Sequence, residues 1–236
     1  GVRALSFASS YQDNDPGTDL LRQWRVNLFG GSGWNRDGDR INNYVGTFGR
    51  VQFQNQWGIF SNAIYIPPGV NDRLTRGGPR ATFPPGLRTL LGFFTDFSKP
   101  LAYEGGFNQR FDTSGEYDRY AFGTVVWRPQ PAVSIEINPE LGWEKDTDQY
   151  VTALDATEAT ATFGRRYVFA DVTSQNVSLG MRLNWTFTPT LTLQLFARPF
   201  IAAYRYDNYK QFATPGTYDF TIFGEDAGTI TQGREN

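Results

Sequence analysis

The chain has 236 residues, 22 Lys plus Arg against 24 Asp plus Glu, 39% hydrophobic and 16% aromatic side chains, and neither Cys nor His. Without Cys there is no disulfide framework, thiolate metal site or cysteine nucleophile, and without His the usual serine and zinc chemistries lose their base or ligands. A formal net charge of −2 lacks the electrostatic footprint of nucleic-acid binding, so no such partner is expected. The length suits one β domain or two small domains. The longest unbroken apolar run, Phe200 to Tyr204, is five residues, far short of the ~20 that a membrane helix needs. The N-terminus shows no charged n-region followed by an apolar h-region, which reads as a cytoplasmic chain or as a mature or excised piece.

Taken in order, alternation with period two predicts ten strands, at about 2–11, 20–30, 41–54, 57–66, 88–97, 101–112, 115–128, 131–154, 165–187 and 190–207. Trp24, Val26 and Leu28 alternate with Gln23, Arg25 and Asn27. Val133 to Glu144 sets Ile135, Ile137, Leu141 and Trp143 against Glu136, Glu140 and Glu144. Asn176 to Phe187 repeats the pattern with Val177, Leu179, Met181, Leu183 and Trp185 on one side and Arg182 and Asn184 on the other. In the last strand Leu191, Leu193 and Leu195 oppose Gln194 and Arg198. No helical stretch stands out.

Short breaks fall at Asn55-Gln56, 98–100, 129–131 and Thr188-Pro189. Long polar or Gly/Pro-rich breaks fall at Gly31–Arg40, Pro67–Leu87 and about 155–163. Laid antiparallel, these mostly take opposite ends of the sheet. The fold class expected is all-β, an antiparallel up-and-down transmembrane β-barrel of the outer membrane of a Gram-negative-type bacterium, with about ten strands present. Strands of ten or more residues match the ~9–11 tilted residues that cross hydrocarbon. Aromatics at interface depth, Trp57, Trp127 and Trp185 at the short-turn end and Trp143 and Tyr204 toward the loops, fit two membrane belts.

The alternative is a soluble β-sandwich that binds carbohydrate, because a solvated outer face produces the same alternation. An enzyme ranks third and would need a carboxylate-only mechanism; no catalytic residue, cofactor or metal site is assigned. Residues 1–207 read as barrel strands and loops, and residues 208–236 as a polar loop or tail leading to missing closing strands. The expected partners are outer-membrane lipid and other chains or segments that complete the barrel.

Several stretches resemble the bacterial domain-of-unknown-function family 5916. They are Asn71-Asp72-Arg73-Leu74-Thr75-Arg76-Gly77-Gly78-Pro79, Arg166-Tyr167-Val168-Phe169-Ala170-Asp171, Arg182-Leu183-Asn184-Trp185-Thr186-Phe187-Thr188-Pro189, residues 191–200 and Tyr209-Lys210-Gln211-Phe212. The likeness covers most of residues 40–220. It implies the C-terminal outer-membrane barrel of a larger protein, in which a sandwich similar to family 9 carbohydrate-binding modules comes first, and hence a pore, transport channel or membrane anchor linked to carbohydrate handling. It supplies no catalytic positions.

The candidate lumen residues are Glu136, Glu140, Glu144, Arg182, Asn184, Gln194 and Arg198, with the carboxylates expected to pair with Arg182 or Arg198. Successive glutamates stand four residues, or ~13–14 Å, apart, too far for a glycosidase pair within one strand. Arg73, Arg76 and Arg80 in the loop 67–87 are candidates for a constriction, with an exposed proline-stiffened loop as the equal alternative. The acidic loops at 13–19 and 35–39 lack the spacing of a calcium hand and read as turns.

Overall fold

The structure is a computed structural model and describes residues 2–224. Its strands are β1 (Arg3–Asp13), β2 (Leu21–Trp34), β3 (Arg40–Phe53), β4 (Gly58–Ile66), β5 (Gly69–Asn71), β6 (Ala81–Phe83), β7 (Gly86–Phe94), β8 (Leu101–Asp112), β9 (Tyr117–Gln130), β10 (Val133–Asp155), β11 (Arg165–Thr188), β12 (Leu191–Ala197), β13 (Phe200–Phe212) and β14 (Phe220–Ile222). Helix among the described residues is limited to one three-residue 3₁₀ turn, Thr160–Thr162. Twelve strands form one antiparallel sheet that follows chain order, and β5 and β6 form a separate hairpin. The sheet is open: β1 pairs with β2 and has no second neighbour, so closure into a barrel is absent among the described residues.

Directly opposed residues of an antiparallel pair point to the same face, so the registers carry each face from strand to strand. One row runs from Tyr11 on β1 through Val26, Leu91, Phe107 and Leu141 to Ile201 on β13. The next row runs from Gln12 through Arg25, Arg50, Phe122 and Glu140 to Phe200. The first face is apolar and the second is mixed, as the period-two reading requires. Among the described residues the apolar face has no second layer on it, and Leu91 and Ile201 are 64% and 74% exposed.

Rings and glycines interlock on the polar face. A methyl added at Gly92 would lie 2.2 Å from the Phe60 ring, and one at Gly58 would lie 2.3 Å from the Phe94 ring. Each Phe lies on a neighbouring strand where no side chain stands, the device that covers glycine in a sheet.

Four expectations are corrected. Gly31–Arg40 is not all loop: β2 runs to Trp34, because Gly30 and Gly31 make room for the rings of Phe7 and Tyr44 on the adjacent strands. The loop 67–87 contains the β5–β6 hairpin. The last predicted strand is broken at Arg198-Pro199 into β12 and β13, since proline lacks the N–H that a ladder needs. Residues 208–212 belong to β13 rather than to a tail, and β14 pairs beyond them; residues 225–236 lie outside the described residues.

β10 and β11 have 23 and 24 residues, about twice what a tilted crossing requires. Their excess lies at the long-loop end, where Tyr167 and Phe169 of β11 join Ala81 of β6 and Phe212 of β13 in a buried apolar cluster. Phe169 is fully buried and packs edge-on against Tyr150 and Phe220. We call this region the cap.

Candidate functional site

The register brings the predicted polar-face residues together. Glu136 stands opposite Arg182 and Asn184 opposite Gln194. Glu140 accepts from Arg198 at 2.7 Å and from the Ser178 hydroxyl at 3.0 Å, and Glu144 accepts from Ser174 at 3.2 Å. Arg182 reaches Phe196, 5.9 Å from its ring centre, and Glu136 accepts from Asn138 at 2.9 Å. The Glu140–Arg198 pairing was foreseeable from residue type, and Arg182 faces its glutamate without a close ion pair.

Of the predicted interface aromatics, Trp127 and Trp143 align with Ile135 and Leu141 on the apolar face, and Trp185 stacks on Phe187 at 4.5 Å. Trp57 sits exposed beside the β3–β4 turn. Tyr204 does not belong with them. It stands opposite Ser174, which hydrogen-bonds Glu144, and so lies on the polar face. Its height along the strand fits a belt, but its parity is that of Phe200 and Ala202.

The arginine loop is anchored at both ends. Arg80 donates to Asp39 at 2.6 Å, and that hydrogen bond holds the Asp39 carboxyl below the usual carboxylate range. Asn35 donates to Asp72 at 3.1 Å, so the β2–β3 connection is tied to the loop twice. On the other side Gly216 N–H donates to the Arg80 carbonyl, Thr82 N–H donates to the Thr217 carbonyl, and the Arg76 guanidinium lies 4.3 Å from the centre of the Tyr150 ring. Gly78 is packed so tightly against Tyr167 that a methyl there would meet the phenol oxygen at 2.2 Å. Arg73 is exposed and approaches Asp72 at 4.0 Å. The acidic loops behave as turns: Asp13 caps Asp15 N–H, and the Asn35 side-chain oxygen caps Asp37 and Asp39 N–H.

The sequence reading missed a group of carboxylates under the cap. Oxygens of Glu116, Asp146 and Asp148 all lie within 4.8 Å of one another, a spacing at which three carboxylates can share one proton or one hard cation. Burial pushes the Glu116 carboxyl up to about 7, with Arg110 opposing and Asp148, Asp112 and Asp146 adding to the rise. Burial also raises Asp148, and Asp146 adds to it. Ser114, Thr147 and Tyr218 form a hydroxyl chain at 2.9 and 3.0 Å beside them. The trio comes from a β8–β9 turn and from β10, 30 residues later, so no local motif announced it.

Next to it, Asp171 binds Lys210 at 2.8 Å, Asn208 at 3.0 Å and Lys145 at 3.5 Å. Burial alone would raise Asp171, but the hydrogen bonds from Lys210 and Asn208 and the charge of Lys145 outweigh it and hold the carboxyl low. Two of the three lysines of the chain converge there.

Comparison of the chain with protein-family models, curated proteins and solved structures finds no match.

Proposed function

We propose that this chain is part of the wall of an outer-membrane β-barrel that serves as a pore, a transport channel or a membrane anchor. The observation that carries this reading is the apolar face. It continues across ten strands with nothing among the described residues packed on it, whereas a soluble protein rarely exposes a contiguous apolar patch beyond a few hundred Å². A β-sandwich would bury such a face against a second sheet ~10 Å away; lipid covers it in the membrane reading.

The loop 67–85 supports a rolled sheet. β3 and β11 are six strand steps apart in the sheet, roughly 29 Å if it were flat. One short segment nevertheless touches Asp39 before β3, Tyr167 on β11 and Thr217 after β13. Curling brings those ends together and sets the polar face inward. The free edges of β1 and β12–β13 would then be paired by further strands, from a longer chain or from another chain. The likeness to domain-of-unknown-function family 5916 points the same way and remains a proposal.

The test is partitioning of the chain between buffer, detergent micelles and outer-membrane fractions, with far-UV circular dichroism. The expected result is a β-rich protein in micelles or membrane only. A monomeric β-rich protein in plain buffer would overturn the membrane reading in favour of the soluble sandwich.

A further inference from the structure

We infer that the polar face of β10 to β13 is a binding track for a linear, uncharged oligosaccharide. Three cross-strand rows define it. Glu136, Arg182 and Phe196 form the first, Glu140, Ser178 and Phe200 the second, and Glu144, Ser174 and Tyr204 the third. Every row has a carboxylate on β10, a hydrogen-bonding side chain on β11 and an aromatic ring on β12 or β13. Carboxylate and ring are two strand spacings apart, ~9–10 Å, and the rows recur every four residues, ~13–14 Å. Between the second and third rows stand Gly142, Asn176 and Ala202, so a trough with one amide on its floor separates the Phe200 and Tyr204 rings.

The three rings are 67%, 61% and 67% exposed. Elsewhere on this face rings have protein to cover: Phe60 and Phe94 lie on cross-strand glycines. A further strand pairing with the free edge of β13 would bond to the backbone in the plane of the sheet and set its own side chains beside these rings as the outer flank of the track. With that flank in place, the side of each ring turned to the polar face is the surface offered to a ligand with an apolar flat side.

Charge selects the ligand. Arg198 neutralises Glu140 at 2.7 Å, and Arg182 stands opposite Glu136, so two of the three rows present donors and acceptors together with little net charge. A cation stacking on the rings would meet the two guanidiniums, and an anion would meet the carboxylates. A pyranose has a flat C–H face for the ring, hydroxyls at its rim that donate and accept, and no charge to desolvate. Repeating rows suit a chain of such units.

The track rests on the reading above in one respect, that this face is the wetted one. The full chain, folded in detergent micelles and checked by far-UV circular dichroism, is titrated calorimetrically with maltohexaose, cellohexaose and xylohexaose, and with spermine as the cationic probe. We expect saturable binding of at least one hexasaccharide, weakened about tenfold by Phe200→Ala or Tyr204→Ala and kept by Phe200→Trp. Both residues are exposed, so the substitutions leave the fold intact. No binding by the folded chain, binding indifferent to both alanine variants, or spermine binding tighter than every hexasaccharide would each overturn the track. If the chain folds in plain buffer instead, the membrane reading fails, and the same titration in buffer decides the track by the same outcomes.

Discussion

Lys210 donates to Asp171 at 2.8 Å with side chains only 11% and 10% exposed. Asp171 also neutralises Lys145, so its loss leaves two cations, while loss of Lys210 leaves Asp171 still paired. Stranding a buried charge costs about 3–5 kcal/mol. Asp171→Asn is therefore expected to destabilise the cap by about 3 kcal/mol at pH 7, and Lys210→Met by less than half of that. The Asp171 carboxyl is held low, so its contribution is present above the unfolded carboxylate range and fades as pH falls through its folded value. Denaturant titrations followed by tryptophan fluorescence check both points, and equal losses for the two variants would refute the shared role of Asp171.

Glu116 has the opposite sign. Its folded carboxyl titrates at about 7, well above the unfolded value of about 4.3, so the folded cap binds the extra proton. Stability is unaffected below about 4.3 and falls as pH rises from there through 7. The melting temperature should drop between pH 5 and pH 8, and Glu116→Gln should flatten that drop. A wild-type melting temperature that rises over this interval would sink the assignment.

The strands were legible because alternation is a local signal: Val133 to Trp143 and Val177 to Trp185 show it residue by residue. The breaks were less so. Gly31 reads as loop because glycine punctuates loops, yet here it gives space to a neighbour's ring, a fact held by Tyr44 rather than by the glycine. Depth along the strand groups Tyr204 with the other aromatics, whereas parity puts it on the polar face with Phe200. The cap was invisible for a different reason. Gly78, Tyr167, Phe169, Lys210 and Phe212 sit in three stretches singled out in the sequence, but only folding reveals that these pack together.

Gly92 tests the ring-on-glycine interlock. A methyl there meets the Phe60 ring at 2.2 Å and the Gly105 carbonyl oxygen at 2.9 Å. Overpacking of this kind costs about 1–3 kcal/mol. Gly92→Ala should destabilise by that amount, and adding Phe60→Leu should recover part of it, since the ring can retreat but the backbone oxygen cannot. Additive losses in the double variant, read by denaturant midpoints, would show that the ring is not what the methyl strikes.

Glu140 and Arg198 are 46% and 55% exposed, so their ion pair contributes about 0–1 kcal/mol. Glu140→Gln should leave the melting temperature nearly unchanged. In a conducting barrel it should instead shift selectivity toward anions, because Arg198 is released from its counter-charge beside the track. Reversal potentials in planar bilayers measure this. Unchanged selectivity in an intact, conducting protein would remove Glu140 from the pore wall.

The two faces should respond oppositely to a new charge. Ile137 lies between Val125 and Met181 on the apolar face, whereas Gln194 faces Asn184 on the polar one. An arginine in mid-membrane on the lipid side of a barrel costs about 2–4 kcal/mol, and one on the watery side costs little. Ile137→Arg should therefore lower folding stability in lipid vesicles by about 2–4 kcal/mol, and Gln194→Arg by less than about 1 kcal/mol. The depth dependence adds a sharper test: Trp127→Arg, nearer the short turns, should cost less than Ile137→Arg because the interface tolerates a guanidinium. Equal costs at all three positions would mean that no hydrocarbon contacts the apolar face, and the membrane assignment would fall with it.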